Sequence, residues 1–364
     1  MSSIDKKYTL WLAHLQDIGV KNIYLLMELF CDAEGIYNAK DTDFRKIGKI
    51  PAKVQEKLLA LKKSLDINEV MDYMDRKNID FISIYDAEYP ELLKTIDNPP
   101  FGLFVIGHMP KDECIKISVV GTRRCSQYGR SAAYTLSRDL ALKNAVIVSG
   151  LAEGIDAMAH KGALDAKGIT LGVMACGVDI CYPHENKNIY SSILERGAIV
   201  SEFPPRTEPK PWFFPMRNRI ISGLSHGCLI VEAPLKSGSL ITANYALDQG
   251  REVMAVPGNI TSRLSAGSNM LIKEGAHLAA SATDIFDCLG IIEDEKENTF
   301  IKSGNNELAP DEKLVYDCIS LTPVTVDEIM HITNMRLPNI QYILIKLELM
   351  GIILKQPGQR FIRS

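Results

Sequence analysis

The sequence lacks several features that would assign it to a familiar class of protein. Its eight cysteines include no CxxC pair and no Cys/His spacing typical of zinc, so we expect buried, reduced thiols and no metal site. No apolar run approaches the ~18 residues of a membrane span. Residues 1–16 have neither the apolar core nor the cleavage site of a signal peptide. These absences predict a cytoplasmic protein without a membrane partner.

The familiar nucleotide-binding signatures are also missing. The chain contains no GxxxxGK[ST] and no GxGxxG, and no acidic residue follows the strand-like run 145–150 to bind a ribose. We therefore expect no nucleotide cofactor. The formal net charge of −4 exerts no global attraction on nucleic acid. Any site for a polyanion must be a local patch.

Residues 115–290 alternate short apolar runs with helical stretches, which is typical of an α/β domain. The runs are rich in Val and Ile without polar alternation, so the strands are predicted to be buried on both faces, as in a parallel sheet. Six strands are expected, within 115–121, 145–150, 169–177, 198–203, 228–233 and 252–258. The pattern predicts a doubly wound parallel sheet.

The flanking segments differ from this central pattern. Residues 1–98 are predicted to form a helical domain of SAM-like or helix-hairpin-helix type, which Pro99 and Pro100 terminate. Residues 291–310 are polar and acidic, as in a linker. Residues 311–364 suggest three helices and a hairpin with a Pro-Gly turn, a winged helix. Its third helix carries Lys346 alone among basic residues, so protein binding and duplex reading both stay open.

In such a sheet, ligands bind beyond the carboxyl ends of the strands, where loops meet helix N-termini. Small residues and arginines are concentrated there, and together they favour a site for several phosphates. The loops are "GTRRCSQYG" (121–129), "SGLAEG" (149–154), "FPMRNR" (214–219), "KSGSLIT" (236–242) and "PGNITSRLSAGSN" (257–269).

Five motifs in order between about residues 100 and 280 resemble the DNA-processing protein A family. They are "SVVGTRRCSQYG", "VSGLAEGIDAMAHKGAL", "FPMRNRIISGLS", "VEAPLKSGSLITANYALDQGREVMAVPG" and "SAGSNMLIKEGA". The resemblance implies an extended Rossmann core in residues 99–290 that binds and protects single-stranded DNA. It also implies a homodimer that loads the RecA recombinase during natural transformation.

The resemblance further implies which residues bind DNA. Its pocket would include Gly121, Arg123, Gly150, Lys210, Arg217, Asn218, Arg219, Ser237, Gly238 and Ser239. The same loops and the aromatic run before residue 215 add Thr122, Phe213, Phe214, Lys236 and Asn269 as candidates. Guanidinium forks suit phosphate oxygens, and aromatic rings offer a stacking face for bases.

Structural roles compete with these assignments. One of Arg217 and Arg219 is as well explained by an ion pair with Glu202 or Glu232. Residues 212–214 suit a cover for the sheet edge at least as well as base stacking. Asp156 and His160 share a helix face, but no further ligand completes a metal or acid–base set, so a hydrogen-bonded helix start is favoured.

Two other functions remain open, although the sequence predicts no enzyme. "EAPLKSGSLITA" weakly resembles the glycine-rich loop of Rossmann-like nucleoside-monophosphate hydrolases, but it has one glycine, and its next acidic residue is Asp248. A scaffold that joins partners through the winged helix is the other alternative. Apolar residues in 240–253 and 268–280 suggest a self-pairing surface at the last strands, with Leu271 and Ile272 as probes of dimerisation.

Overall fold

The computed structural model describes residues 3–15, 18–47, 50–291, 308–320, 323–349, 352–356 and 360–363. The chain forms two compact units, residues 1–292 and 293–364. The predicted linker 291–310 lies largely outside the described residues. Gly48, in the sequence "DFRKIGKIPAKVQEKLLALKKSL" that suggested the helix-hairpin-helix, also lies outside them. The domain boundaries predicted at 98, 290 and 310 stay predictions.

The described residues of the first unit include nine strands, which form one sheet. They are β1 (Asp80–Ser83), β2 (Gly102–Gly107), β3 (Lys116–Val120), β4 (Val146–Ser149), β5 (Thr170–Val173), β6 (Ala198–Ser201), β7 (Gly227–Ile230), β8 (Glu252–Ala255) and β9 (His277–Leu278).

Fourteen α-helices are described in the same unit. They are α1 (Ser3–Ala13), α2 (Val20–Phe30), α3 (Ala33–Asn38), α4 (Asp41–Ile47), α5 (Ala52–Ser64), α6 (Ile67–Lys77), α7 (Glu91–Lys94), α8 (Gln127–Leu142), α9 (Ile155–Asp165), α10 (Lys187–Arg196), α11 (Phe213–Gly223), α12 (Gly238–Asp248), α13 (Ala266–Lys273) and α14 (Ala282–Cys288).

The strand order is β1-β2-β6-β5-β4-β3-β7-β8-β9. Strands β3 to β9 run parallel to one another, and each of the six strands expected from the sequence is present. Strand β1 pairs antiparallel with β2, and β2 pairs antiparallel with β6, so the sheet is mixed. The order reverses between β3 and β7, which opens a crevice beyond their carboxyl ends.

Both faces of the sheet are buried, which explains the missing polar alternation. Alternate residues of one strand enter different cores: Val120 packs with α11 and α12, whereas Val119 packs with α8, α9 and α14. The first core also extends through the N-terminal helices, where Trp11 is 1% exposed. This shared core makes residues 1–292 a single packed unit.

The N-terminal region differs from the sequence prediction at one element. The sequence predicts helices through residue 98, whereas Asp80–Ser83 form β1 against β2. The short run "DFISIY" has a strand's alternating burial, with Phe81 in the core beside Phe104. Four residues between helical segments carry too little periodicity to identify a strand without its partner.

The second unit has the elements predicted for a winged helix. They are α15 (Pro310–Cys318), β10 (Val324–Thr325), α16 (Val326–Thr333), α17 (Leu337–Leu349), β11 (Ile353–Gln356) and β12 (Arg360–Arg363), with the strands in the order β10-β12-β11. The predicted Pro-Gly turn lies outside the described residues. Lys346 of α17 donates a 2.6 Å hydrogen bond to Glu312, so this cation already has a carboxylate partner.

Candidate functional site

A pocket of about 450 Å³ lies at the crevice between β3 and β7. Four segments line it: the end of β3 with the loop after it, the first turn of α9 with the loop before it, one face of α11, and the first turns of α12 with the loop that leads into them. Ten of the predicted site residues are in its wall: Gly121, Thr122, Arg123, Phe214, Arg217, Asn218, Lys236, Ser237, Gly238 and Ser239. The fold therefore brings together residues that are more than a hundred positions apart.

Arg217 forms the floor of the pocket and is only 4% exposed. Its Nη1 donates to the carbonyl oxygen of Gly150 at 2.7 Å and to that of Val173, and its Nε donates to Asn218 Oδ1 at 3.3 Å. Burial lowers the pKa of Arg217 to about 10, so the side chain remains charged at neutral pH. A fixed positive charge thus lies beneath the pocket.

Asp156, in the first turn of α9, is a buried carboxylate whose charge interacts with that of Arg217. Burial raises the pKa of Asp156, while the charge of Arg217 and hydrogen bonds from backbone amides oppose that change. The Gly150 amide donates to Asp156 Oδ2 at 3.1 Å. Gly150 therefore contacts both members of the pair, and it positions Arg217 without lining the pocket itself.

Arg219 lies outside this pocket and has the structural partner that the sequence left open. Its Nη2 donates to Glu202 Oε2 at 2.5 Å, and both side chains are largely buried. Glu232 does not pair with either arginine, because its carboxylate accepts the amide and the hydroxyl of Ser126, each at 2.7 Å. Ser126 is the N-cap of α8, so Glu232 stabilises the start of that helix.

The "SGS" loop is the N-terminus of α12, which faces into the pocket. The Ser237 hydroxyl caps the helix by accepting from the Ser239 amide at 3.3 Å. Asn218 Nδ2 donates to the Gly238 carbonyl at 3.3 Å and so ties α11 to this loop. No atom lies within 4 Å of a Cβ built on Gly238. The positive end of the helix dipole is therefore open to an anion.

Exposed cations form the rim of the pocket. Arg123, Arg124 and Lys236 are all exposed, and the Arg123 guanidinium lies 5.1 Å from the centre of the Phe214 ring. Among the described residues that line the pocket, Asp156 is the one carboxylate, and it is buried. The electrostatic character of the opening is positive although the chain as a whole is acidic.

The aromatic run beside the rim divides into buried and exposed rings. Phe213 is 9% exposed and stacks on Phe203 with ring centres 4.0 Å apart, as the structural interpretation predicts. Trp212 is 61% exposed, and the Lys210 ammonium lies 5.7 Å from its ring centre. The ring centres of Phe214 and Tyr182 lie 5.6 Å apart. Exposed aromatic surface and cations thus continue from the rim beyond the pocket.

Five predicted site residues do not line the pocket: Gly150, Lys210, Phe213, Arg219 and Asn269. Asn269 Nδ2 instead donates to the Gly258 carbonyl at 3.0 Å, and Asn269 Oδ1 accepts from the Gly258 amide at 3.1 Å, which holds the loop after β8. Arg124 and Asp156 line the pocket but are absent from the predicted set. Arg124 could have been found from the sequence because it follows Arg123 in "TRR", and Asp156 because it lies in the helix start after Gly154.

His160, one turn beyond Asp156, has a structural role. Its Nδ1 lies 2.7 Å from the Thr170 hydroxyl, which itself donates to the Ile147 carbonyl, so the imidazole donates to Thr170. Burial lowers the pKa of His160 to about 3. A neutral imidazole and a backbone-bonded carboxylate agree with the hydrogen-bonded helix start favoured by the sequence.

The comparisons with known proteins cover most of the chain. A family model described as DNA recombination-mediator protein A matches residues 80–290, and a DprA winged helix domain model matches residues 303–359. The DNA processing protein DprA of Bacillus subtilis is 44% identical over 239 residues, which are 64% of this chain and 80% of that protein.

Two solved structures are similar in fold. The X-ray structure of DNA processing protein A from Streptococcus pneumoniae has a TM-score of 0.68 and 33% identity, covering 77% of this chain and 97% of that one. A Helicobacter pylori structure, described as giving insight into the single-stranded DNA binding mode of DNA processing protein A, has a TM-score of 0.52 and 29% identity. It covers 58% of this chain and 95% of its own.

Proposed function

This chain belongs to the DNA recombination-mediator protein A family, and we propose that it binds single-stranded DNA in the pocket between β3 and β7. The observation that carries the proposal is the convergence of a buried arginine, an open helix N-terminus and exposed cations on one cavity. Phosphate is the ligand that such donors suit best. The relatives are DNA-processing proteins by name, which agrees with this chemistry.

Phosphate recognition is proposed to divide between fixed and mobile groups. Arg217 donates hydrogen bonds to two carbonyl oxygens, so its side chain is already fixed before an anion binds. Binding therefore costs this side chain little conformational entropy. The α12 N-terminus at Ser237–Ser239 contributes its dipole. Arg123 and Lys236 are exposed and adapt to the backbone as it enters. None of these donors reads a base, so binding should tolerate any sequence.

Bases are proposed to stack along the exposed aromatic surface next to the rim. Phe214 lies between Arg123 and Tyr182, and Trp212 lies beside Lys210. Rings accompanied by cations are the combination that binds single strands without sequence preference. Lys210 thus acts outside the pocket, where the strand leaves it. Duplex DNA hides its base faces, so it should bind more weakly.

The test is fluorescence anisotropy of the full chain with labelled single-stranded and duplex oligonucleotides over a range of salt. If about four phosphates are neutralised, log K should fall against log salt with a slope near −3, from ~0.7 per contact in single strands. Lys236→Ala should make the slope shallower by ~0.7, whereas Lys161→Ala, an exposed change on α9, should not. A salt-independent affinity or a duplex preference would contradict the proposal.

Dimerisation and delivery of the strand to RecA during natural transformation are proposed from the family resemblance. Leu271, which the sequence suggested as a probe of the dimer surface, is 5% exposed and belongs to the core, so it is not a suitable probe. Leu247, 57% exposed on α12, and Leu278, 51% exposed on the edge strand β9, are the apolar candidates. Light scattering on Leu247→Asp and Leu278→Asp variants tests them.

We propose no catalytic turnover. Asp156 is buried and accepts a backbone hydrogen bond, and Ser237 caps α12, so neither is placed as an activated base or nucleophile. The rival nucleoside-monophosphate hydrolase is tested by incubating the protein with nucleotides and measuring release of base or phosphate. Turnover that disappears in Asp156→Asn would favour the enzyme.

No described helix is long and apolar enough to span a bilayer.

A further inference from the structure

Three potential metal ligands lie close together, away from the end of the sheet that carries the proposed DNA pocket. Glu252 is the first residue of β8, His277 is the first residue of β9, and Cys288 is the last residue of α14. One ligand atom from each lies within 4.8 Å of the other two, and His277 Nε2 is 3.5 Å from Glu252 Oε2. The pocket lies beyond the carboxyl ends of the strands, whereas Glu252 is at the amino end of β8.

The donor set is one carboxylate oxygen, one imidazole nitrogen and one thiol sulfur. Hard ions such as Mg²⁺ and Ca²⁺ prefer oxygen alone, whereas a mixed O, N and S set suits Zn²⁺ and similar divalent ions. Tetrahedral coordination with bonds of about 2.0 to 2.3 Å places ligand atoms about 3.4 to 3.6 Å apart. The present spacing needs a contraction of about one ångström, which side-chain rotation supplies.

We propose that Glu252, His277 and Cys288 bind one Zn²⁺-class ion, with solvent as the fourth ligand. Glu252 and His277 are exposed, so an ion enters and the side chains turn without disturbing the core. Cys288 is half-buried at the end of its helix. The sequence pattern does not reveal the site because its ligands come from three elements and follow no zinc-type spacing.

An ion bound at this site would link the edge strand β9 to helix α14. Strand β9 is a two-residue edge strand that pairs only with β8 among the described strands. Helix α14 packs its Ile285 and Phe286 into the core beneath it. A shared ion would connect this weakly paired strand to that anchored helix. Metal binding is therefore expected to stabilise the edge and to leave the DNA pocket unchanged.

The test uses Co²⁺ as a spectroscopic substitute for Zn²⁺ on the full chain, with a non-chelating reductant. We expect one equivalent to give a near-ultraviolet thiolate-to-cobalt band and tetrahedral visible bands, which Zn²⁺ bleaches. Cys288→Ser should abolish the thiolate band. His277→Gln and Glu252→Gln should each weaken binding about tenfold or more. Cys31→Ser and His108→Gln alter exposed residues elsewhere and should bind like the wild type.

Alkylation of the unmutated protein gives an independent readout. Zn²⁺ should protect Cys288 from iodoacetamide, measured by peptide mass spectrometry, while exposed Cys31 reacts equally with and without metal. Single-stranded DNA affinity should be the same in both conditions. An unchanged cobalt spectrum in Cys288→Ser or His277→Gln, or equal alkylation of Cys288 with and without Zn²⁺, would overturn the proposal.

Discussion

Replacing Gly150 by alanine tests how the pocket holds its central arginine. An added Cβ would lie 2.5 Å from Arg217 Nη1 and 2.6 Å from its Cζ and Nη2. The φ angle of Gly150 is not positive, so alanine adopts this backbone without strain of its own. The cost of the substitution therefore comes from displacing the guanidinium.

That cost follows from the hydrogen bonds of Arg217. Its Nη1 donates to the carbonyls of Gly150 and Val173, and hydrogen bonds to a charged group contribute about 1.5 to 3 kcal/mol each. We expect Gly150→Ala to lower the free energy of unfolding by about 3 kcal/mol. In an Arg217→Ala background the new methyl enters vacated space, and the same change should cost less than about 0.5 kcal/mol.

The assay is urea unfolding followed by tryptophan fluorescence. The chain has two tryptophans, Trp11 and Trp212, and both belong to the first unit, so the signal reports that unit in the full-length protein. Gly238→Ala is the matched control, because its Cβ meets nothing within 4 Å. Equal costs of Gly150→Ala in both backgrounds would refute the packing argument.

Three further outcomes are expected. Arg219→Met should lower the free energy of unfolding by about 3 to 5 kcal/mol, because it breaks a largely buried ion pair with Glu202, and Arg219→Met/Glu202→Leu should recover most of the loss; a loss below about 1 kcal/mol in the single variant would contradict this. The pKa of His160 is lowered from 6.5 to about 3, so below pH 6.5 the unfolded chain binds a proton that the folded protein does not. The contribution of His160 to the free energy of unfolding is therefore complete above pH 6.5 and is lost as pH falls towards 3. By pH 5 the loss should be about 2 kcal/mol relative to His160→Gln, and parallel unfolding curves for the two proteins would exclude it. Leu271→Asp should unfold the first unit whereas Leu247→Asp should keep its fold in circular dichroism, and equal effects would show that the burial of Leu271 is misassigned.

Local sequence was sufficient to predict the parallel core of the sheet. The strands from β3 to β8 are short and consist mainly of apolar and small residues, because both faces of the sheet are covered. Glycine and serine after these runs mark the strand ends, and parallel connectivity places such ends at one edge. The candidate pocket residues from 121 to 123 and from 236 to 239 follow from that reasoning.

The separate roles of Arg217 and Arg219 required the tertiary structure. Two residues apart on α11, they point to different neighbours: Arg217 to the carbonyls at the ends of β4 and β5, and Arg219 to Glu202 after β6. Sequence spacing shows that both lie on one short helix, but it does not show which neighbouring strand end each one meets. The predicted arginine pair is thus one pocket residue and one structural ion pair.

Local sequence patterns predict the alternation of strands and helices, the edge of the sheet where the candidate pocket lies and the family to which the motifs belong. The pairing of β1 with β2 and of β2 with β6, the burial of Leu271, and the meeting of Glu252, His277 and Cys288 became visible in the folded chain. The physical reason is the range of the interactions. Backbone periodicity and strand-end chemistry are local, whereas burial and side-chain partners depend on which distant segments pack against each other.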